Sequence, residues 1–228
     1  MTDDQKNGLK ITMTSDFICP WCFVAERRLK KAAAEEGIEV ELNFKPFELN
    51  PDMPKDGLNR RIYRSQKFGS WERSMQLDLG TIQASKDDPL SFDYAAMEYT
   101  PNTRAAHRLV WYTQENAPEL EEAVVDAIFE GYFSNGRNIG DIGVLAEIAS
   151  DLGLRHDAVL AFLGSEDGAS EVVAREQEAM GNGIRGVPHI QIGSVQLQGA
   201  ESTDKMRKTL REAVSDQKEN ACDHRVGS

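Results

Sequence analysis

Two of the chain's three cysteines stand close together, in the segment Cys19-Pro20-Trp21-Cys22. Two thiols at this spacing can close a small reversible disulfide and exchange it with a disulfide of another molecule. At the start of a helix, unpaired backbone N–H groups and the helix dipole favour an anion and lower the pKa of a thiol placed there. We expect Cys19 to be an exposed nucleophile of this kind. Cys22, one turn further in, should be a buried resolving thiol with a higher pKa.

The residues around the cysteine pair predict the strands and the helix that position it. Apolar and polar residues alternate over residues 9–14 and again over residues 38–45, with the period of two that is typical of strands. Residues 21–36 predict a helix that ends at Gly37, which makes the segment a right-handed βαβ unit. The apolar face of this helix has four residues: Ala25, Leu29, Ala32 and Ala33. Four charged residues are expected toward solvent: Glu26, Arg27, Lys30 and Lys31.

A buried structural pair of thiols and half of a zinc site are the alternatives to a redox pair. A zinc site takes about four ligands, and a second pair of Cys or His residues at similar spacing usually completes it. The sequence has no second Cys-x-x-Cys segment, and its histidines are scattered singly: His107, His156, His189 and His224. The residues therefore favour the redox pair, with no metal and no other bound cofactor expected.

Composition and charge argue against several classes of protein. The 228 residues include 26 Lys and Arg against 38 Asp and Glu, a net charge of −12. This balance disfavours binding to nucleic acid or to an anionic membrane surface. No run approaches the ~18 apolar residues of a membrane span, and three cysteines cannot staple a chain of this length. Since the first residues do not resemble a signal peptide, we expect a cytoplasmic protein.

The two ends of the chain predict a sheet, and the middle predicts helices. Residues 188–192 and 195–198 predict a hairpin around Gly193-Ser194, and Ser202 is a suitable N-cap for a closing helix. Apolar residues recur at helical spacing through residues 57–180, with Asp141 as one expected cap. We therefore expect an α/β fold in which a mixed central sheet, built from both ends, lies under a large helical insertion.

Several segments resemble the thioredoxin-fold superfamily, in particular its DsbA-like branch and the cytosolic FrnE-like proteins within it. Cys19-Pro20-Trp21-Cys22 is similar to the redox site of that branch, and Gly186-Val187-Pro188 is similar to its cis-proline loop. Residues 99–108 resemble part of its helical insertion, and Gln198-Gly199-Ala200 resembles the approach to its last helix. The resemblance covers residues 10–216. It implies a thioredoxin-like domain (βαβ plus ββα) of residues 9–50 and 184–216, an all-helical insertion of residues 51–183, and flexible tails at residues 1–8 and 217–228.

The same resemblance implies thiol–disulfide exchange with protein substrates, by oxidation, reduction or isomerisation. It implies that Cys19 attacks a substrate sulfur and that Cys22 resolves the mixed disulfide. It implies substrate contacts from Pro20, Trp21, Val187 and Pro188. We favour reduction or isomerisation, because cytosolic thiols are kept reduced. The expected partners are protein thiols and disulfides, with glutathione or the thioredoxin system exchanging electrons, and the expected assembly is a monomer or a homodimer.

Five further residues have two interpretations each. Asn102 and His107 could line the active-site cleft, or they could be a helix cap and a buried imidazole. Arg185 and His189 flank Pro188, and either cation would lower the pKa of Cys19 if its side chain reached the cleft, whereas His189 could instead point to the other face of the sheet. Cys222 stands alone near the C-terminus, where it is either an inert tail residue or a thiol open to modification.

The alternative function is that of a related branch with the same fold, the glutathione-dependent isomerases and transferases of the 2-hydroxychromene-2-carboxylate isomerase and kappa-class type. Those enzymes generally have Ser at the position of Cys19 and no thiol at the position of Cys22. A chaperone that holds unfolded chains in the helical groove is a third hypothesis and needs neither cysteine. The presence of both cysteines favours the redox function.

Overall fold

The computed structural model of the protein describes residues 8–226, with side chains as far as residue 217. The strands are β1 (Leu9–Ser15), β2 (Val40–Pro46), β3 (Leu58–Asn59), β4 (Tyr99–Thr100), β5 (His189–Ile192) and β6 (Val195–Gln198). The helices are α1 (Pro20–Glu36), α2 (Arg60–Phe68), α3 (Trp71–Ala84), α4 (Arg104–Asn116), α5 (Glu121–Phe133), α6 (Ile142–Asp151), α7 (His156–Gly164), α8 (Ala169–Gly181) and α9 (Thr203–Val226), with a 3₁₀ turn at Pro118–Leu120.

The last helix, α9, begins after Ser202, whose Oγ accepts a hydrogen bond from the Lys205 N–H at 3.2 Å. The helix continues past residue 217, where the sequence predicts a flexible tail. The side chains of Cys222 and His224 lie outside the described residues. Between residues 8 and 226, no helix combines the length and the apolar character that crossing a bilayer requires.

Strand β1 is a central strand of a mixed sheet with the order β2-β1-β5-β6. It pairs in parallel with β2, from Leu9 opposite Val40, and antiparallel with β5. Strands β5 and β6 form the expected hairpin, and Gly193 in its turn has a φ of 55°, which favours glycine. The sheet is thus built from both ends of the chain, as the sequence predicts, and the carboxyl end of β1 leads directly to the cysteine pair.

Helices α2–α8 form an insertion between β2 and β5. The insertion also contains the two-residue antiparallel ladder of β3 and β4, which the sequence did not predict. Phe23 of α1 stacks on Phe129 and Phe133 of α5, with ring centroids 5.5 and 5.8 Å apart. Because all three rings are buried, the helix that carries the cysteines and the insertion share one apolar core. The predicted α/β fold with a helical insertion is confirmed.

The charged side of α1 is not solvated as the sequence predicts. Glu26 is 0% exposed, and Lys30 Nζ lies 2.8 Å from Glu26 Oε1 and 2.6 Å from Asp126 Oδ2. Arg27 reaches Asp126 and Glu130 as well, at 3.4 and 2.7 Å. The acidic side chains of α5 therefore cover this side of α1. The prediction is wrong because helical periodicity shows which residues share a face, but not what packs against that face.

Burial, and then the charge of Asp126, raise the pKa of Glu26 to about 8. The ordinary pKa is 4.5, so between these two pH values the folded protein keeps a proton on Glu26 that the unfolded chain releases. The free energy of unfolding of the wild type should therefore fall relative to that of Glu26→Gln as the pH rises through this range. A shift of this size corresponds to at most about 5 kcal/mol. Urea unfolding of both proteins at pH values across and beyond the range measures the difference.

Glu130→Gln is the matched control, because Glu130 belongs to the same cluster but its side chain is 54% exposed. The stability of this variant should still fall between pH 4.5 and about 8, because Glu26 is unchanged in it. A constant difference in stability between wild type and Glu26→Gln would contradict a buried, protonated Glu26.

Candidate active site

Cys19 lies at the N-cap of α1, after the short turn that leaves β1. Its backbone is extended, with φ −90° and ψ 108°, and Pro20 occupies the first helical position, where a missing N–H costs nothing. The Cys19 N–H donates to the Asp16 carbonyl at 3.0 Å, and the Cys22 N–H donates to the Cys19 carbonyl at 3.0 Å. Both sulfurs therefore belong to the first turn of the helix, as the sequence predicts.

The two thiols differ in how far they are buried. Cys22 is 0% exposed, whereas Cys19 is 6% exposed and lines an open cleft. Cys19 is more enclosed than the exposed nucleophile expected from the sequence, because the loop before β5 packs onto it. The Cys19 thiol donates to the Val187 carbonyl over 3.7 Å. Cys19 is nevertheless the thiol that a molecule in the cleft can reach.

A hydrogen bond between the two side chains separates their pKa values. The bond from Cys22 does most to lower the pKa of Cys19, the N–H groups of Cys22 and Trp21 add to it, and burial and the charge of Asp16 oppose it. Burial raises the pKa of Cys22 well above its ordinary value, and the bond to Cys19 raises it further. The pair thus combines a thiol that ionises more readily than an ordinary cysteine with a thiol beneath it that keeps its proton, and this difference suits disulfide exchange.

The loop that meets Cys19 comes from the other end of the chain. The Val187–Pro188 peptide bond is cis, and the Val187 carbonyl contacts a sulfur 168 residues earlier in the sequence. The Pro188 carbonyl accepts a hydrogen bond from the Gly199 N–H at 2.9 Å, which ties the loop to the end of β6. Pairing of β5 with β1 is what brings this loop to the start of α1.

A cleft of about 490 Å³ opens beside Cys19. The segment 18–21 lines it together with Leu49 and Asn50, which follow β2. The insertion supplies the other lining residues: Tyr63, Arg64, Lys67, Phe68, Gln76, Leu77, Asp78, Gly80, Thr81, Thr100 and Tyr132. A substrate in the cleft would therefore contact both the cysteine turn and the insertion.

The two histidines considered for the cleft lie elsewhere. His107 is buried, and its Nε2 lies 3.6 Å from Asp16 Oδ1 while its ring packs against Phe17. His189 is also buried and pairs with Thr14 across the β1–β5 ladder. Neither side chain lines the cleft beside Cys19.

Asn102 and Arg185 also lie outside the cleft lining. The Asn102 side chain donates to the Met53 carbonyl at 2.7 Å and accepts from the Arg104 N–H at 2.9 Å, so it braces two loops of the insertion at the start of α4. Arg185 is exposed and donates to the Met180 carbonyl at the end of α8. The Arg185 guanidinium group is therefore held at the C-terminal end of α8.

Sequence reasoning missed the contribution of α2, which supplies Tyr63, Arg64 and Lys67 to the lining. A signal for this helix was present, since residues 60–68 contain four Lys or Arg and no acid in a chain of net charge −12. This run of positive charge is unusual in the chain, but the sequence does not show which part of the fold α2 lies against.

The family model of the DSBA-like thioredoxin domain matches residues 10–211 of this chain. The chain belongs to that family. The uncharacterized protein YwbO of Bacillus subtilis is 27% identical over 206 residues, which are 88% of this chain and 94% of that protein. The crystal structure of a probable DsbA oxidoreductase from Streptomyces coelicolor is 28% identical, with a TM-score of 0.81 over 91% of this chain and 90% of the other.

A third similar structure has the same fold but a lower sequence identity. The cytosolic disulfide reductase DsbM from Pseudomonas aeruginosa, solved with glutathione, has a TM-score of 0.65 at 18% identity and covers 91% of this chain and 100% of its own. These comparisons connect the chain to DsbA-like thiol oxidoreductases, which need no cofactor because their cysteines carry the electrons. Within the described residues, no group of three or more His, Cys, Asp or Glu side chains is arranged to hold a metal ion.

Cys22→Ala removes the thiol that bonds to Cys19, so it should raise the pKa of Cys19 toward the ordinary value of 9.0. Cys22→Ser keeps a hydroxyl donor at this position and should keep part of the lowering. The rate of alkylation by iodoacetamide as a function of pH measures the pKa. A Cys222→Ser background leaves Cys19 as the single thiol to titrate. Equal pKa values in the Ala and Ser variants would mean that the backbone N–H groups alone stabilise the thiolate.

Proposed function

We propose that this protein is a thiol–disulfide oxidoreductase or disulfide isomerase of the FrnE-like type, acting on protein substrates in the cytoplasm through Cys19 and Cys22. The observation that carries the proposal is the difference between the two thiols. Cys19 lines the cleft, and its pKa is lowered by the hydrogen bond from Cys22, which is fully buried. Membership in the DSBA-like thioredoxin domain family supports the same chemistry.

The reaction begins with the Cys19 thiolate, which attacks one sulfur of a substrate disulfide and displaces the other as a thiolate. Cys22 then loses its proton and attacks Cys19, which closes the Cys19–Cys22 disulfide and releases the second substrate thiol. The raised pKa of Cys22 slows this second step, because the neutral thiol is a poor nucleophile. A longer-lived mixed disulfide gives a substrate thiol time to attack instead, which is isomerisation.

The peptide backbone next to the attacked disulfide would meet the Val187–Pro188 loop, whose Val187 carbonyl already lies 3.7 Å from Cys19 Sγ. Pro20 and Trp21, which is 39% exposed, would contact the same substrate from the cleft side. We propose these four residues as the substrate contacts around the two catalytic cysteines.

A thiol partner must regenerate the dithiol after net reduction of a substrate. We propose glutathione or the thioredoxin system for this role, and the DsbM reductase of similar fold was solved with glutathione. The direction of exchange favours reduction or isomerisation, because cytosolic thiols are kept reduced. The cytoplasmic location itself stays a prediction from the sequence.

Insulin reduction and the refolding of scrambled ribonuclease test the proposal with wild type, Cys19→Ser and Cys22→Ser. Cys19→Ser removes the nucleophile and should lower both activities by at least about 100-fold. Cys22→Ser cannot resolve the mixed disulfide and should accumulate a covalent complex with the substrate, visible on a non-reducing gel. Cys222→Ser is the matched control and should keep the wild-type activity.

Two results would contradict the proposal. If wild type and Cys19→Ser were equally inactive in both assays, disulfide exchange with proteins would be excluded. If Cys19→Ser instead supported glutathione-dependent isomerisation of a small aromatic substrate, the function would be that of the isomerase and transferase branch.

A further inference from the structure

The cleft beside Cys19 carries positive charge in a chain whose net charge is −12. Arg64 and Lys67 line it, together with the carboxylate of Asp78. Asp78 is already bound through both oxygens, by Arg60 Nη2 and Arg64 Nη2, each at 2.7 Å. One carboxylate thus pairs with two arginines of α2, so this group keeps one positive charge in addition to that of Lys67.

Neutral groups hold the Lys67 ammonium in place. Its Nζ donates to Asn50 Oδ1 at 2.9 Å and to Tyr63 Oη at 3.1 Å, and no carboxylate pairs with it among the described residues. The Tyr63 hydroxyl donates to the same Asn50 oxygen at 2.7 Å. Since an ammonium has three N–H donors, these contacts leave Lys67 one donor for a ligand.

Two more polar atoms of the lining have no hydrogen-bond partner in the described part of the chain. They are Asn50 Nδ2 and Thr100 Oγ1, and Thr100 is 4% exposed. Asn50 Nδ2 belongs to the amide whose oxygen binds Lys67, so an unused donor lies beside the ammonium. Asn50 Nδ2 itself is covered by protein atoms, so the donor that a carboxylate in the cleft can reach is the remaining N–H of the exposed Lys67 ammonium.

We propose that this group binds a carboxylate on the disulfide that Cys19 attacks, and that Lys67 thereby selects acidic disulfide substrates. The inference rests on the proposed function and names its substrate class. The step is unchanged: the substrate S–S bond breaks, the Cys19–Cys22 bond forms, and the substrate takes up the two electrons and two protons that the dithiol gives up. The carboxylate is bound near the sulfur and takes no part in the electron transfer.

An acidic protein segment and glutathione disulfide both offer this chemistry, and substrates can distinguish them. We would use three peptide disulfides that differ in the residue next to the cysteine, which is Glu, Gln or Lys, and glutathione disulfide as the fourth substrate. The measurement is the second-order rate constant of a single turnover by the reduced protein, so no external reductant is needed.

The variants separate recognition of charge from a structural role of Lys67. Lys67 lies in the last turn of α2, where a cation interacts favourably with the helix dipole. Lys67→Gln removes the charge and Lys67→Arg keeps it. Arg61→Gln is the matched control, because Arg61 is an exposed cation of the same helix that lies over the Trp71 ring and outside the cleft lining.

Wild type should react about tenfold faster with the Glu peptide than with the Gln peptide at low ionic strength, and slowest with the Lys peptide. Lys67→Gln and high salt should bring the Glu-to-Gln ratio close to one, whereas Lys67→Arg and Arg61→Gln should keep it. A faster reaction with glutathione disulfide than with the Glu peptide, lost in Lys67→Gln, would support the inference with glutathione as the source. The reverse order would support acidic protein segments.

A Glu-to-Gln ratio near one in wild type would overturn the inference. It would also fail if Lys67→Gln slowed the Glu and Gln peptides equally, because Lys67 would then act on the structure alone. Failure of wild type to react with any of the four disulfides would instead contradict the proposed function.

Discussion

The hydrogen bond between the Cys22 and Cys19 side chains is the interaction on which the candidate site depends. It lowers the pKa of Cys19 more than any other contact does, and it opposes the ionisation of Cys22. The bond needs both sulfurs in the first turn of α1, which is why β1 must end and α1 must begin within a few residues of each other. It also needs Cys22 to be fully buried, because water would compete for the thiol proton.

Helix α1 carries the site, and elements from the whole chain hold that helix. It packs against α9 on the C-terminal side of the chain, and its side chains contact α5 of the insertion. The contact with α5 combines stacked aromatic rings at Phe23 with an ionic cluster around Glu26. Burying a carboxyl group is unfavourable for its charged form, and the raised pKa of Glu26 is the result. The insertion thereby fixes the position of the cysteine turn as well as lining the cleft beside it.

A negative net charge on the whole chain is compatible with a positively charged cleft, because salt screens the interaction between exposed charges beyond about 8 Å at physiological ionic strength. The total of −12 therefore bears on solubility, whereas a substrate in the cleft meets the nearby Arg64, Lys67 and ion-paired Asp78. Lys67 and Cys19 line the same cleft but belong to different parts of the fold. Reactivity comes from the helix start, and the proposed selection of substrates comes from the insertion.

Features that depend on neighbouring residues were predictable from the sequence. Alternation and helical spacing predicted the βαβ unit and the hairpin, Ser202 and Asp141 act as the expected caps, and both cysteines lie at the start of α1 as predicted. Only the packed fold shows that Glu26 is buried, that His107 and His189 lie away from the cleft, and that Lys67 lines it. The two sets of features differ in range, because periodicity and capping act within a turn or two, whereas burial and the lining of the cleft depend on packing between residues far apart in the chain. Glu26 and Asp126, for example, are 100 positions apart.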